Sequence, residues 1–392
     1  MTAAPRFLQI HFLTSYPATL LNRDDSGLAK RLRLGDTSRT RISSQCLKRH
    51  WRKPGETDAD IKREPWSLQS IGSPMAVRSR EIPERKIRPA LADVGSEETR
   101  EAAEKAMARL LYTPGKKEAP DIKDRQALLI GDVEIAYLIE RLRTILTAKE
   151  NDTAKKVDAA IEAWFKKGEQ NNLKAMLAER RGAVEAGLEA ALFGRMVTSD
   201  PDANTDAAIH VAHAFTVHAE AAESDYFTVV DDLKSAEGES GAGGLFDTEL
   251  TAGLFYGYVV VDVSLLVSNL GGDAALAGKV VEHLTHLIAT VSPGAKKGST
   301  APYAYADLML IEAGNTQPRT LANAYRAHCS ARVDEAVRHM SEYLTKVDTA
   351  YGNPPQRAHL SIEEVALPGS SAKSLDDLAA WARDLVAKQT AV

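Results

Sequence analysis

Cysteine is scarce in this sequence, and long apolar runs are missing from it. The 392 residues include two cysteines, Cys46 and Cys329, which argues against a disulfide framework or a four-cysteine zinc site. No apolar stretch reaches the roughly 18 residues that a membrane span requires, and the N-terminal residues do not resemble a secretory signal. We therefore expect a cytoplasmic protein that has no membrane partner.

Familiar catalytic motifs are also missing. The sequence contains no HExxH metal site, no nucleophile elbow and no dinucleotide-binding fingerprint. His210, His213 and His218 lie near one another in the sequence, but no cysteine or carboxylate cluster accompanies them. Core or surface histidines are therefore a better interpretation than metal ligands. We expect no enzyme activity, no cofactor and no bound metal.

The segment SPGAKKGST, residues 292–300, partly resembles a phosphate-binding loop. A nucleotide-hydrolysing loop requires Gly-Lys-Ser/Thr after a four-residue gap. Here Lys296 and Lys297 precede the glycine, so the order is wrong for nucleotide hydrolysis. A secondary basic loop that contacts nucleic acid through these two lysines is still compatible with the sequence.

Positive charge is concentrated in one part of a chain whose net charge is −5. Residues 23–53, called the basic segment below, contain ten Lys or Arg residues against three Asp residues. A solvated surface is one interpretation of any such run. Hydroxyl and amide side chains lie in its middle, however, and phosphate groups are bound by this mixture of cations and aimed polar donors. A continuous track of such groups suits a single-stranded nucleic acid.

Hydrophobic periodicity predicts an α+β fold. Strands are expected at 6–13, 254–264 and 304–312, and the segment 206–219 fits either a helix or a strand. Ser43 or Ser44 should cap a short helix that Pro54-Gly55 ends. A helical insertion is expected from about 97 to 192 and a protruding hairpin at 224–253. A small ferredoxin-like or RNA-recognition-type core fits this order of elements.

Seven motifs occur together in a recognisable order and resemble the CasC family, the backbone (crRNA-binding) subunit of the type I-E CRISPR Cascade complex. They are LNRDD (21–25), RISSQ with LKR (41–49), ALFGRMVTSD (191–200), AIHVAHAFTVH (208–218), DYFTVVDDL (225–233), GLFYGY (253–258) and SPGAK (292–296).

The resemblance implies a modified RNA-recognition-motif palm with a helical fingers insertion and a protruding thumb hairpin. The expected limits are 1–60, 193–223 and 253–392 for the palm with its C-terminal helices, 61–192 for the fingers and 224–252 for the thumb. It also implies a non-catalytic role. Copies of the chain would polymerise along the CRISPR guide RNA, displace periodic bases and present the others for pairing with a target DNA strand. Other copies and other Cascade subunits would be its protein partners.

The resemblance assigns site residues position by position. The RNA-binding positions are Arg23, Lys30, Arg41, Ser43, Gln45, Lys48, Arg49, Arg52, Arg195 and Met196. Thr228 and Leu245 would flank the displaced base in the thumb. An apolar side chain such as that of Met196 can act as a wedge between stacked bases, although packing in the core is the alternative for this residue.

Two other functions remain open at this stage. A CRISPR RNA-processing endoribonuclease on a related fold would need a triad of acid-base residues. His11, Tyr16 and His50 could be combined for that purpose, but their spacing does not support it. A general single-strand binder would bind without partner proteins and without preference for a repeat-derived end.

Overall fold

The computed structural model describes residues 4–113, 118–165, 186–196, 204–230, 242–295 and 297–389. The chain forms two compact units. The first contains Met1–Ile71, Ile209–Ser264 and Ala274–Thr390, and the second is built mainly from Gly72–Ala208. Mixed strands and helices confirm the predicted α+β class. Within the described ranges, no helix combines the length and the apolar character needed to cross a membrane.

The described strands are numbered in chain order. They are β1 (Phe7–Thr19), β2 (Arg31–Leu34), β3 (Thr37–Ile42), β4 (Ala76–Ser79), β5 (Leu128–Gly131), β6 (Ile209–Val211), β7 (Ala214–Thr216), β8 (Ala222–Val230), β9 (Ala242–Asp262), β10 (Leu308–Gly314), β11 (Gln356–Ser361) and β12 (Ser370–Ala372).

The described α-helices are numbered in the same way. They are α1 (Ser44–Arg52), α2 (Asp58–Arg63), α3 (Arg88–Ala90), α4 (Glu97–Tyr112), α5 (Asp132–Thr147), α6 (Ala154–Phe165), α7 (Gly187–Phe193), α8 (Val263–Asn269), α9 (Ala274–Thr290), α10 (Lys297–Thr300), α11 (Val333–Tyr351) and α12 (Leu375–Ala387).

The first unit contains a large sheet with the strand order β12-β11-β10-β1-β9-β7-β3-β2, together with helices that include α1, α9, α11 and α12. Its pairs are antiparallel except β11 with β12, and β6 and β8 also pair with β9. The three strands predicted from sequence are therefore neighbours at its centre. β9 begins earlier than expected, at Ala242, because one continuous strand runs from the hairpin into the sheet.

Strand β1 is buried on both faces over most of its length, which explains its nearly unbroken apolar sequence FLQIHFL. Gly257, in the neighbouring strand β9, lies opposite Phe12 of β1. A methyl group at position 257 would overlap the Phe12 ring, so the glycine lets this large aromatic side chain cover the sheet. The second glycine of the GLFYGY motif therefore has a packing function.

Several elements differ from the sequence-based expectations. The segment that fitted either a helix or a strand contains the short strands β6 and β7. Strands β2 and β3 form a hairpin at the edge of the sheet, and neither strand was predicted from the sequence. Strand β11 lies in a C-terminal region that was expected to be mostly helical.

The second unit is mainly helical. Helices α4, α5 and α6 share a core that includes Met107, Leu138 and Ile161. Ser96 begins α4 as its N-cap, with its side chain accepting from the Thr99 backbone N–H. Strands β4 and β5 form a separate two-stranded sheet. The expected helical insertion agrees with α4–α7, and its residues 166–185 lie outside the described ranges.

Candidate nucleic-acid interface

Helix α1 presents the polar side chains of the basic segment on one face. Ser43 begins the helix, with its Oγ accepting from the Cys46 N–H at 3.3 Å. Leu47 and Trp51, four residues apart, are buried, and the Trp51 ring packs edge-on against Phe12. The opposite face is therefore turned outward. It carries Gln45, Lys48, Arg49 and Arg52, of which Gln45 and Arg49 are exposed and the other two half-buried.

The loop before β2 is attached to the start of this helix. The Asn22 side-chain oxygen accepts from the Ser43 N–H at 2.9 Å, and the Asn22 carbonyl accepts from the Lys30 N–H at 2.9 Å. The Lys30 carbonyl in turn accepts from the Arg41 N–H at 2.8 Å. These bonds hold the loop that contains exposed Arg23 against the α1 N-terminus. The segments that contain Arg23, Lys30, Arg41 and Ser43 are thus joined, and the RNA contacts of these residues stay a prediction.

Two arginines of the basic segment are used inside the fold. Arg31 forms ion pairs with Glu220 and Glu249. Arg39 is fully buried and donates to the carbonyl oxygens of Thr216 at 2.9 Å and Tyr325 at 3.0 Å. These two side chains hold the edge hairpin to the rest of the sheet, and the count of ten cations overstates the charge that is presented outward.

Arg41 has an intermediate position. Its Nε donates to the Arg31 carbonyl at 2.9 Å, and one terminal nitrogen lies 3.1 Å from His213 Nδ1. The side chain is half-buried. It can support the hairpin and still contribute positive charge to the surface next to α1.

The positive charges act on the same small region. Burial lowers the pKa of His213, and Arg41 and Lys30 lower it further. Burial also raises the pKa of Cys46 to about 11, although the charges of Lys30 and Arg49 oppose this shift. Hydrogen bonds join the loop, β3 and the start of α1, so the cations of these segments are near one another and would favour an anion.

The secondary basic loop adjoins this surface. The Ala295 N–H donates to the Leu20 carbonyl at 2.9 Å, just before the loop that contains Arg23. Lys297 Nζ lies 3.9 Å from a carboxylate oxygen of Glu56. The charge of Lys297 also contributes to the lowered pKa of His50, whose main cause is burial. Lys296, the other predicted lysine, lies outside the described residues.

Arg195 and Met196 belong to the second unit. One terminal nitrogen of Arg195 lies 2.7 Å from each carboxylate oxygen of Glu134, and both side chains are buried. Arg195 thus has an internal ion-pair partner, and its contact with a phosphate stays a prediction. The Met196 side chain is 71% exposed. Packing in the core therefore does not explain this methionine.

Thr228 and Leu245 lie directly opposite each other in the β8–β9 hairpin. The hairpin continues to the pair Val230 and Ala242, and its tip lies outside the described ranges. The two positions predicted to flank a displaced base are therefore brought together by the strand register. Their roles stay a prediction.

The alternative catalytic residues are not gathered on a surface. His11 is fully buried between Tyr256 and Glu312. Its Nδ1 lies 2.9 Å from the Tyr256 hydroxyl, and its Nε2 lies 3.1 Å from a Glu312 carboxylate oxygen. Tyr16 is buried, and burial raises its pKa to about 12. His50 bonds to the Cys46 carbonyl within α1. Each of the three therefore has a structural environment of its own.

The histidines at 210, 213 and 218 do not form a metal site either. His210 and His213 are exposed, whereas His218 is buried with its ring bonded to the Ala219 carbonyl and the Leu254 N–H. Among the described residues, no group of three or more His, Cys, Asp or Glu side chains could hold a metal ion.

Asn22 is an organising residue that the sequence reasoning missed. Its side chain joins the loop to the helix cap, and this cannot be read from charge. An Asn at the start of a turn rich in Asp and Gly is the sequence signal that could have indicated it. The Asp24 carboxylate completes that turn by accepting from the N–H groups of Ser26 and Leu28.

Comparisons with known proteins give a family. A search of curated proteins found no similar sequence. One similar solved structure is described as "CRISPR RNA-guided surveillance complex, pre-nicking". Its TM-score is 0.73 and its sequence identity is 25%, and the match covers 96% of this chain and 100% of the chain in that structure. Another solved structure, with a TM-score of 0.56 and 20% identity, shows a shared fold over 96% of this chain and 99% of its own chain. The profile described as CT1975-like protein matches residues 8–385, and the chain therefore belongs to the family of CT1975-like proteins.

Proposed function

We propose that this chain is a guide-RNA-binding subunit of a CRISPR RNA-guided surveillance complex of the Cascade type. The cationic surface formed by α1 and its attached loop is the observation that carries the proposal. The similarity to a subunit described by that title, over nearly the full length of both chains, supports it. More specifically, we propose the backbone role of the CasC subunit in a type I-E complex, in the cytoplasm.

The chemistry of the surface suits an RNA backbone. Arg23 and Arg49 are exposed, and Gln45 adds an uncharged donor beside them. Phosphate contacts of this kind position a strand and carry no sequence information. The bases would then be left available for pairing with target DNA, and recognition of sequence would be delegated to that pairing.

The remaining parts of the fold have proposed roles in the same scheme. The large sheet would be the RNA-recognition-type palm, the helical second unit the fingers, and the β8–β9 hairpin the thumb. The exposed Met196 would act as an apolar wedge between stacked bases. Thr228 and Leu245 in the hairpin would flank a displaced base. Successive copies would associate head-to-tail, because a heterologous interface that does not close produces a linear assembly.

The test is co-purification of guide RNA. The chain is expressed with the other complex subunits and a CRISPR array, and the bound RNA is quantified. We expect the wild-type complex to contain discrete, protected RNA and the double variant Arg23→Gln/Arg49→Gln to retain about tenfold less, because two cations that pair with phosphates are removed. Lys346→Gln is the matched control, since Lys346 is exposed on α11.

Several results would contradict the proposal. One is a wild-type complex without RNA, or equal RNA in the double variant and the Lys346→Gln control. Another is cleavage of repeat RNA by the purified chain, which would favour the endoribonuclease and refute the non-catalytic role. Binding of unrelated single strands as tightly as guide RNA, without any partner subunit, would instead support the general single-strand binder.

A further inference from the structure

Two tyrosine rings project from the loop that joins α10 to β10. Tyr303 is 74% exposed and Tyr305 is 71% exposed. The residues on either side, Pro302 and Ala306, are buried. Removing a large aromatic side chain from water lowers the free energy of the system. Two neighbouring rings that are held in water therefore indicate a contact surface.

The backbone of this tyrosine loop, residues 301–306, is held firmly. The Ala304 N–H donates to Ser292 Oγ at 2.9 Å, and that hydroxyl donates to the Ala304 carbonyl, also at 2.9 Å. The Ala306 N–H donates to the Ala289 carbonyl at 2.8 Å. Pro302 packs so closely on Gly294 that a methyl group there would lie 2.6 Å from the proline Cγ. The rings are thus carried by a backbone that is held in place, and little backbone entropy is lost when a ligand binds them.

The tyrosine loop is joined to the cationic surface. It follows α10, whose first residue is Lys297. The segment just before that helix bonds through the Ala295 N–H to the Leu20 carbonyl, next to the loop that contains Arg23. Exposed aromatic rings beside a cationic surface are the combination that binds single-stranded nucleic acids, with phosphates on the cations and bases on the rings.

We propose that Tyr303 and Tyr305 stack on nucleobases of a single strand whose phosphates lie on the basic segment. This inference rests on the proposed function and adds to it a second binding surface, one that acts on bases. The positive charge of the adjoining surface favours a polyanion over a second protein chain as the occupant. Stacking on a tyrosine ring needs no particular base, because every base has an aromatic face.

The experiment measures binding of the chain to two labelled single strands, one of RNA and one of DNA. Both have the same mixed sequence of about 20 nucleotides, and each contains 2-aminopurine. We expect Tyr303→Leu/Tyr305→Leu to weaken binding by about tenfold or more, because leucine offers no aromatic face on which a base can stack. Tyr303→Phe/Tyr305→Phe keeps both rings and should bind within about twofold of wild type. Stacking should also quench the 2-aminopurine fluorescence of the wild-type complex.

The salt dependence separates this effect from that of charge. Replacing tyrosine by leucine removes no cation, so the slope of log affinity against log salt should stay unchanged. Arg23→Gln/Arg49→Gln should reduce that slope by about 0.7 for each single-strand phosphate that is no longer neutralised. An effect of the leucine variant on RNA binding alone would indicate the guide as the ligand, and an effect on DNA binding alone would indicate the target strand.

Several outcomes would overturn the inference. If the arginine variant weakens binding and the leucine variant does not, the tyrosines are not a base platform and the proposed function stands. If the leucine variant changes the sedimentation of the RNA-free chain, the rings contact a second copy. If wild type binds neither strand, both the inference and the proposed function fail. Equal weakening by the leucine and phenylalanine variants would also exclude stacking, and thermal melting of both variants checks that they are folded.

Discussion

At the scale of single residues, Arg39 and Arg49 show how one charge type has two uses within a short stretch of chain. Arg39 is fully buried and bridges the carbonyl oxygens of Thr216 and Tyr325. Arg49 is exposed on the outer face of α1. A lysine has a single ammonium group and cannot reproduce the planar fork of a guanidinium between two separate acceptors.

We therefore expect Arg39→Lys to lower the free energy of unfolding by about 2 kcal/mol or more, because a buried carbonyl would be left without its donor. Arg49→Lys, the matched control, should change it by less than about 0.5 kcal/mol. Urea unfolding of the two variants and the wild type measures both values. Equal midpoints for the two variants would show that Arg39 is not needed to hold the edge hairpin.

At the scale of elements, the start of α1 depends on one hydroxyl. Ser43 Oγ accepts from the Cys46 N–H, whereas Ser44 Oγ makes a long contact of 3.4 Å with the Gln45 side chain. We expect Ser43→Ala to destabilise the chain by about 1 kcal/mol because the cap is removed, and Ser44→Ala to cost less than about 0.5 kcal/mol. The Asn22 bond to the Ser43 backbone N–H does not depend on the substituted hydroxyl.

Thermal melting of the Ser43→Ala and Ser44→Ala variants checks this prediction. A lower midpoint for Ser43→Ala alone supports the cap. The same midpoint in both would mean that the packing of Leu47 and Trp51 fixes the helix without help from Ser43.

Helix α1 and the strands β1, β9 and β10 could be predicted because their signals are local. A cap, an apolar face and a short apolar run are each contained in a few neighbouring residues. The strands β2 and β3 were not predicted, because the alternation in β2 covers only the four residues RLRL and β3 is mostly polar. They are held at the sheet edge by partners far along the chain, such as Thr216 for Arg39.

The same distinction applies to the candidate site. The charge of the basic segment and a cap at Ser43 or Ser44 were predicted from sequence, and the attachment of the Asn22 loop was not. Which arginines point outward also depended on tertiary structure, since Arg31 is neutralised by Glu220 and Glu249 from elements far along the chain. A count of charges cannot include such partners.

At the scale of the whole molecule, stability should depend on a buried charge cluster in the central sheet. Glu312 on β10 is fully buried. Its carboxylate accepts from Arg357 Nε at 2.8 Å and from Arg319 at 2.5 and 2.8 Å, and it lies 3.1 Å from His11 Nε2. Burial alone would raise the pKa of Glu312, but the bonds and charges of Arg319 and His11 outweigh it and hold that pKa well below its usual range.

The pKa of His11 is lowered as well, chiefly by burial, although Glu312 opposes the shift. A depressed pKa in the folded state means that the unfolded chain takes up the proton first as the pH falls. His11 therefore contributes stability that is present above about pH 6.5 and is lost below it, and Glu312 contributes stability that is present above about pH 4.3 and is lost below it. Both groups make the fold less stable toward acid.

We expect Glu312→Gln to cost about 3 kcal/mol or more near pH 7, because Arg319 would lose its carboxylate partner and buried Arg357 would keep only Asp348. Its stability should also change less than that of wild type between about pH 5 and about pH 3.5, since the titrating group has been removed. Urea unfolding at a series of pH values measures both effects.

Glu342→Gln, at an exposed position on α11, is the control and should leave the curve within about 0.5 kcal/mol of wild type. Parallel curves for wild type and Glu312→Gln in that acid range would mean that the acid sensitivity of the fold arises from other carboxylates.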